Sequence, residues 1–467
     1  MNSRTLLKVL AAAVAIAVAA PAGLAQAQEV IPGRKVGGSR NMKLLSHLAM
    51  DSVEKTADIT MEQELSRPYV YTAHRLTPSG VDAISIKDPT KPQIIWSWRI
   101  ENPDLHKGAG SLNPIYLKSK GRYYLTNAFQ FGAGGPDNDL GALVWDVTGL
   151  PDASKVREIA RLRDTVNLGG FHESQAYKHS NGQALLFTQA SGGFANVFDI
   201  DKIAAGGNQA SWLVGRVPVP EQPNQPRLSY HDFYIQYDAT TKLDMFYGAG
   251  AGGYHVYNIS DLANPKLVSS ASGISGVSRG HTFVVDPTGR YGVVEAEYQY
   301  APLRILDLKP DTTQGGGGRR GGPGGIRVIG AWNADWKDLS HNHVIRWPYV
   351  FASAYEDGLQ VFNMMDPTNP YTVGYYYTCD CPHGRGAGYN PASPQFESVF
   401  SGAWGVEVRN ADGLIAISDL TTGVWLFKME GFDGWNGHQW GLPNNSTAID
   451  WDNGPDGAPK VQKVSVR

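Results

Sequence analysis

The sequence predicts an all-β protein, a seven-bladed β-propeller whose ring is closed by an N-terminal strand joining the last blade. Three observations carry this. Apolar stretches are short and alternating, the chain repeats one four-strand phrase, and the last copy lacks a strand that the N-terminal segment supplies. The alternation is plain in GRYYLTNAF (121–129), GALVWDV (141–147), QALLFTQ (183–189), RYGVVEAEY (290–298), YVFASAY (349–355) and GLIAISD (413–419), each bounded by turn residues. Such runs are strands, because a period of two puts alternate side chains on one face of a sheet.

Each repeat begins with a strand near a His or Trp and continues through a second strand ending in small residues. A third reads apolar-x-apolar-Asp/Asn, and a Pro-containing turn leads to a fourth. One unit reads HNHVIRW (341–347), PYVFASAY (348–355), GLQVFNMMDPTNP (358–370) and YTVGYYY (371–377). Others span 57–100, 106–163, 170–219, 231–272 and 281–332, and the last, 402–430, has only three strands. NMKLLSHLAM (41–50) has the character of the missing one. A closed ring leaves no exposed sheet edge.

The first 27 residues carry Arg4 and Lys8, an apolar run and Ala25-Gln26-Ala27, the grammar of a cleaved secretory signal. The domain reading is therefore a signal peptide (1–27), a linker (28–40), the propeller (41–430) and an extension packing on it (431–467). Without the leader, 39 Lys+Arg face 44 Asp+Glu, a net charge of −5. That excess of acid argues against nucleic acid, which requires a basic stripe. No later stretch is apolar for long enough to span a membrane, so the expected location is the periplasm or the exterior.

DAISIKDPTKP, HVYNISDLANP and LQVFNMMDPTNP, together with SGAWGVEVRNADGLIAISDLTTGVWLFK, carry a resemblance to a known family. The chain from about 41 to 430 resembles the LVIVD-repeat β-propellers of exported bacterial and archaeal proteins. The resemblance implies the fold and no particular activity.

Function enters through a register of histidines. His172, His231, His281 and His341 occupy one position, at the start of the innermost strand, in four successive units. Trp404 takes that position in the seventh unit, and His106 lies near it in the second. Equivalent positions in neighbouring blades converge on the channel axis, and neutral imidazoles ligate Cu, Fe or Zn. The expected site is a transition-metal centre of those four histidines, with Glu173, Asp232 and His343 orienting them from outside the ligand set. It resembles in plan, though not in sequence, the propellers of carotenoid-cleaving oxygenases and of selenium-binding/methanethiol oxidase proteins. Oxidative or hydrolytic chemistry on a small substrate would follow. The competing reading is structural: a Gly-His pair at this point in WD-repeat blades is a packing device, and Gly280-His281 fits it.

Other motifs carry less. Cys379-Asp380-Cys381-Pro382-His383 is read as a soft-metal trio, a small-ring disulfide or two thiols. GAGAGG (248–253) lies between strands with no following helix, so no nucleotide cofactor is expected, and Gly-x-Ser-x-Gly is absent. Turns such as DPTKP read as hydrogen-bonded Asx turns and not as calcium loops. The Gly-rich stretch 313–325 reads as an outward loop. Tyr375 to Tyr377, Trp435 and Trp440 are expected to be exposed, which supports the rival function of a recognition scaffold for a surface protein or glycan.

Overall fold

The computed structural model describes residues 35–454, apart from 51–55, 76–77, 107, 133, 191, 222–228, 310–324, 382–399, 436, 438–448 and 453. The leader, most of the Gly-rich stretch, His383 and Trp440 lie outside the described residues.

Seven antiparallel sheets form, each a meander in which consecutive strands pair. Blades 1 to 6 span 56–99, 110–163, 174–218, 230–272, 282–332 and 343–377, and blade 7 joins 403–429 to Met42–Leu48. Innermost strands of successive blades contact one another all the way round, the seventh returning to the first. Met42–Leu48 pairs antiparallel with Gly423–Met429, as the repeat arithmetic requires, so both ends of the chain fasten the last blade. Gly37–Gly38 adds a short fifth strand outside blade 6, against Tyr376 and Tyr377, which the alternation did not announce. Among the described residues no helix is long and apolar enough to cross a membrane.

In every blade a β-bulge separates the third strand from the fourth. An extra residue there sharpens the local twist that a blade needs as it turns outward from the channel. The fourth strands are the most exposed, and the first three are buried against neighbouring blades. Flat aromatic contacts fill these seams, as where Trp332 of blade 5 stacks on Phe362 of blade 6 at 4.5 Å.

The turns behave as Asx turns. Asp88 Oδ1 accepts from Thr90 N at 3.0 Å, and Asp366 Oδ1 from Thr368 N at 2.9 Å. The second of them also sets the spacing of two blades. A Cβ at Gly330, in the fourth strand of blade 5, would stand 2.0 Å from the Pro367 carbonyl of the blade 6 turn, so only glycine lets that turn seat.

Two expectations are corrected. Trp435 is buried in the blade 6–7 core, and Tyr375 to Tyr377 are half-buried in a paired strand and not on a loop. Cys379 and Cys381 are joined to each other as a disulfide, which removes both thiolates from any metal. His106 stands near the register position of blade 2 and not in it. It contacts Asp137 at 2.9 Å, and Leu112 fills that place.

Candidate metal centre at the channel mouth

The start of the inner strand is a specialised piece of backbone. In blade 4, Tyr230 pairs with Gly250 and Asp232 with Ala249, which leaves His231 as the extra residue of a bulge. Blade 7 does the same around Trp404. Blades 1 and 2 carry register shifts across the matching residues, Ala57 and Leu112. His172, His281 and His341 come just before the first paired residue or one short of it. A bulge lets two successive side chains turn to the same side, so the bulged blades 1, 2, 4 and 7 present both the register residue and its successor to the channel.

The four imidazoles meet in an unbroken arc. Ring centroids lie 4.2 Å apart for His172 and His231, 3.9 Å for His231 and His281, and 4.7 Å for His281 and His341. Trp404 continues the arc 4.3 Å from His341. His231, His281 and Glu297 each offer a ligand atom, all within 4.8 Å of one another, the one such group among the described residues. His281 Nε2 is 3.3 Å from Glu297 Oε2. His172 and His341 flank this group, and Glu297 was not anticipated.

Glu297 belongs to the loop after the second strand of blade 5, with a left-handed backbone (φ 48°) that a non-glycine residue adopts at a cost. Its N–H donates to Glu295 Oε2 at 2.9 Å, and Tyr355 OH donates to its Oε1 at 2.5 Å. Tyr355 is itself left-handed (φ 39°). Glu295 Oε1 lies 2.6 Å from His281 Nδ1 and Thr282 Oγ1 lies 2.8 Å from it, so Nδ1 is engaged and Nε2 is left for Glu297. His341 Nδ1 donates to the Trp404 carbonyl at 2.8 Å, and His172 Nδ1 to Gln130 Oε1 at 3.1 Å. The supports of the arc are thus Glu295, Thr282, Gln130 and the Trp404 carbonyl. One signal for Glu295 and Glu297 was readable: the second strand of blade 5 ends in Glu-Ala-Glu where the repeat elsewhere ends in small residues.

Electrostatics keeps three of the four imidazoles neutral. Burial, then neighbouring positive groups, hold His231 and His341 far below the usual imidazole range and His172 at about 3. Burial raises Glu295 well up and Glu297 less so. Neutral imidazole is the form that ligates.

No family model matches the chain, and no curated protein does either. Among solved structures, the chain is similar to Raptor of Chaetomium thermophilum at 9% identity and a TM-score of 0.54, covering 87% of this chain and 30% of that one. The WD40 β-propeller domain of Doa1 aligns at 11% identity and a TM-score of 0.49, covering 84% of this chain and 97% of that one. The likeness to Raptor is one of fold.

One residue further along each inner strand lies a second deck: Asp58, Asn113, Glu173, Asp232, Thr282, Asn342 and Gly405. All but the glycine line a cavity of about 50 Å³ within the channel. Asp58 Oδ2 accepts from Asn342 Nδ2 at 2.7 Å and from Asn113 Nδ2 at 3.3 Å, which knits blades 1, 2 and 6 across the axis. Gly405 makes room, since a Cβ there would lie 2.1 Å from Asp58 Oδ1. Burial lifts Asp58 to about 6 and Asp232 to about 7. Glu173 is raised well up by burial and by Asp232 and Asp58. Glu173 and Asp232 therefore face this deck, and neither hydrogen-bonds an imidazole of the arc. His343 also lines the cavity, its Nε2 donating to the Val293 carbonyl at 3.1 Å.

Proposed function

We propose that the mouth of the channel is a transition-metal centre acting on a small substrate by oxidative or hydrolytic chemistry, in an exported propeller. The observation that carries this is the convergence of His231, His281 and Glu297 within 4.8 Å. Two imidazoles and one carboxylate are the donor set of non-haem iron and of hydrolytic zinc sites, both of which keep open positions. The polar accounting supports the fit. His231 Nδ1 and His281 Nε2 are buried with no hydrogen-bond partner, an expensive arrangement unless something else satisfies them.

The chain's own groups would then divide the work. His231, His281 and Glu297 hold the ion, which when bound supplies Lewis-acid or redox chemistry. Glu295 and Thr282 fix the His281 tautomer, and Tyr355 fixes the Glu297 carboxylate. His341 donates from Nδ1, so its Nε2, 4.0 Å from Glu297 Oε1, carries a lone pair that can accept and orient a substrate N–H or O–H. The placement among exported LVIVD-repeat propellers rests on the repeat phrases and the Met1–Ala27 leader.

The test is metal analysis of untagged protein offered Fe(II), Zn(II) and Cu(II) and then dialysed. About one ion per chain is expected, and it should be lost in H231A, H281A and E297A. Metal-free wild type, or variants that retain the same ion, would remove the proposal. A second reading, a non-catalytic scaffold for a protein or glycan, is favoured by the loop before His172, where Val166 is 85% and Leu168 55% exposed. On that reading the same variants bind no metal in wild type or mutant and change only stability.

A further inference from the structure

Two residues before His281, Arg279 stands exposed on the rim of the mouth. Among the described residues its Nη2 reaches neutral acceptors, Ser229 Oγ at 3.2 Å and the Tyr230 carbonyl at 3.5 Å. Some other arginines of the ring are closed by carboxylates, as in Arg67–Glu62, Arg99–Asp82, Arg163–Asp137 and Arg409–Asp412, while Arg157, Arg216 and Arg304 reach neutral acceptors as Arg279 does. Arg279 makes no such ion pair with any described residue, yet its charge bears on His172, His231 and Glu297 and opposes protonation of the two imidazoles. A guanidinium with free fork positions beside a ligand group is a receptor for a planar oxyanion.

An aromatic ridge borders the same loop. Tyr298 follows Glu297 immediately and Tyr300 comes two residues later, and Tyr298 OH lies 3.2 Å from Ser278 Oγ, next to Arg279. Tyr300 N donates to the Trp336 carbonyl at 2.8 Å, and the two rings stand 4.9 Å apart, Trp336 being 63% exposed. Three large aromatics left in water beside a site form a surface on which a flat apolar ring stacks at little entropic cost.

We propose that the mouth takes a small aromatic molecule bearing an oxyanion, with Arg279 holding the oxyanion and Tyr298, Tyr300 and Trp336 holding the ring. This deepens the metal-centre reading and rests on it for the reaction, while the recognition itself is a property of side chains alone. Carboxylate and phosphate share the chemistry that Arg279 reads, so both belong in the test.

Isothermal titration of benzoate, phenyl phosphate and benzyl alcohol into wild type, R279Q, R279K and W336A decides it, with metal content and thermal midpoint measured on each sample. Wild type should bind benzoate or phenyl phosphate, and the tighter of the two names the oxyanion. R279Q should weaken that binding by about 10- to 100-fold, the loss of a charged hydrogen-bond pair, and R279K by less. Benzyl alcohol should bind R279Q as it binds wild type, and W336A should weaken all three. Metal content should not change in R279Q, and the Arg279 dependence should persist in metal-stripped protein. Arg279-dependent binding in a protein that never takes up metal would sink the metal centre and leave this inference standing. Equal binding of the oxyanions by wild type and R279Q, or no binding of either by wild type, would overturn it.

Discussion

His255 and His281 lie 26 positions apart in one chain and follow opposite rules. His255 is fully buried in the third strand of blade 4, its Nδ1 3.0 Å from Ser270 Oγ and its Nε2 3.0 Å from the Ala251 carbonyl. His179, in blade 3, is closed the same way, on the Ile259 carbonyl and the Asn181 N–H. These are histidines of the packing, with every polar atom answered from within the protein. At the mouth, His231 Nδ1 and His281 Nε2 have no hydrogen bond and converge with a carboxylate instead. An open nitrogen alone does not separate the two kinds, because His74 Nε2 and His343 Nδ1 are open as well. What separates them is company: only at the mouth does a second imidazole and a carboxylate stand at ligand spacing among the described residues.

Removing one member of each kind should separate the two kinds of histidine. H281A should lose the bound ion while keeping the fold, since the ring lies at the mouth and its neighbours His231 and His341 are held by other blades. H255A should keep the ion and lose about 2 to 4 kcal/mol of stability, having left Ser270 Oγ and the Ala251 carbonyl unpaired around a cavity. Metal content and urea midpoints, measured side by side, check both. Ion retained in H281A, or lost in H255A, would mean that the two histidines are of one kind.

The sequence showed the ring and half of the site, and the reason lies in what repeats. A propeller writes the same alternation seven times, so blade number, the closing strand at 41–50 and the common place of His172, His231, His281, His341 and Trp404 can be aligned without coordinates. Glu297 and Tyr355 cannot be aligned that way. They sit on loops of blades 5 and 6, and their contact depends on two left-handed backbone positions that no propensity of Glu or Tyr announces. The placement of Glu173 and Asp232 is likewise not legible from the repeat. Adjacency in sequence to a histidine suggests support of its ring, but both carboxylates line the second deck, Asp232 just past a bulge and Glu173 just before its strand begins. The disulfide between Cys379 and Cys381 was one of three readings that spacing alone left open.

Y355F touches the support and not the ligands. The Tyr355 hydroxyl donates to Glu297 Oε1, while the ring packs edge-on against His341 and Trp404, contacts that Phe retains. Losing the hydroxyl should weaken the ion by about 10- to 100-fold in a chelator competition, with little change in fold. Unaltered affinity would show that Glu297 is held by its strained backbone alone.

The smallest effect expected is also the one that reads the mouth without any metal. His172 is held at about 3 in the fold by burial and by neighbouring positive groups, against 6.5 for a free imidazole. Between those values the unfolded chain takes up a proton that the folded chain refuses, so acid must erode stability. Falling from pH 7 to pH 5 this single ring should cost the metal-free protein about 2 kcal/mol. Above pH 6.5 the term vanishes, because both states are then neutral. H172Q keeps a polar group facing Gln130 but cannot titrate, so its stability in denaturant melts at pH 5 and pH 7 should differ less than wild type by about that amount. The same substitution lies outside the ligand-spaced group of His231, His281 and Glu297, and it should leave metal content unchanged. A pH dependence identical to that of wild type would show that water reaches His172 freely, and the mouth would then be an open basin and not a desolvated arc.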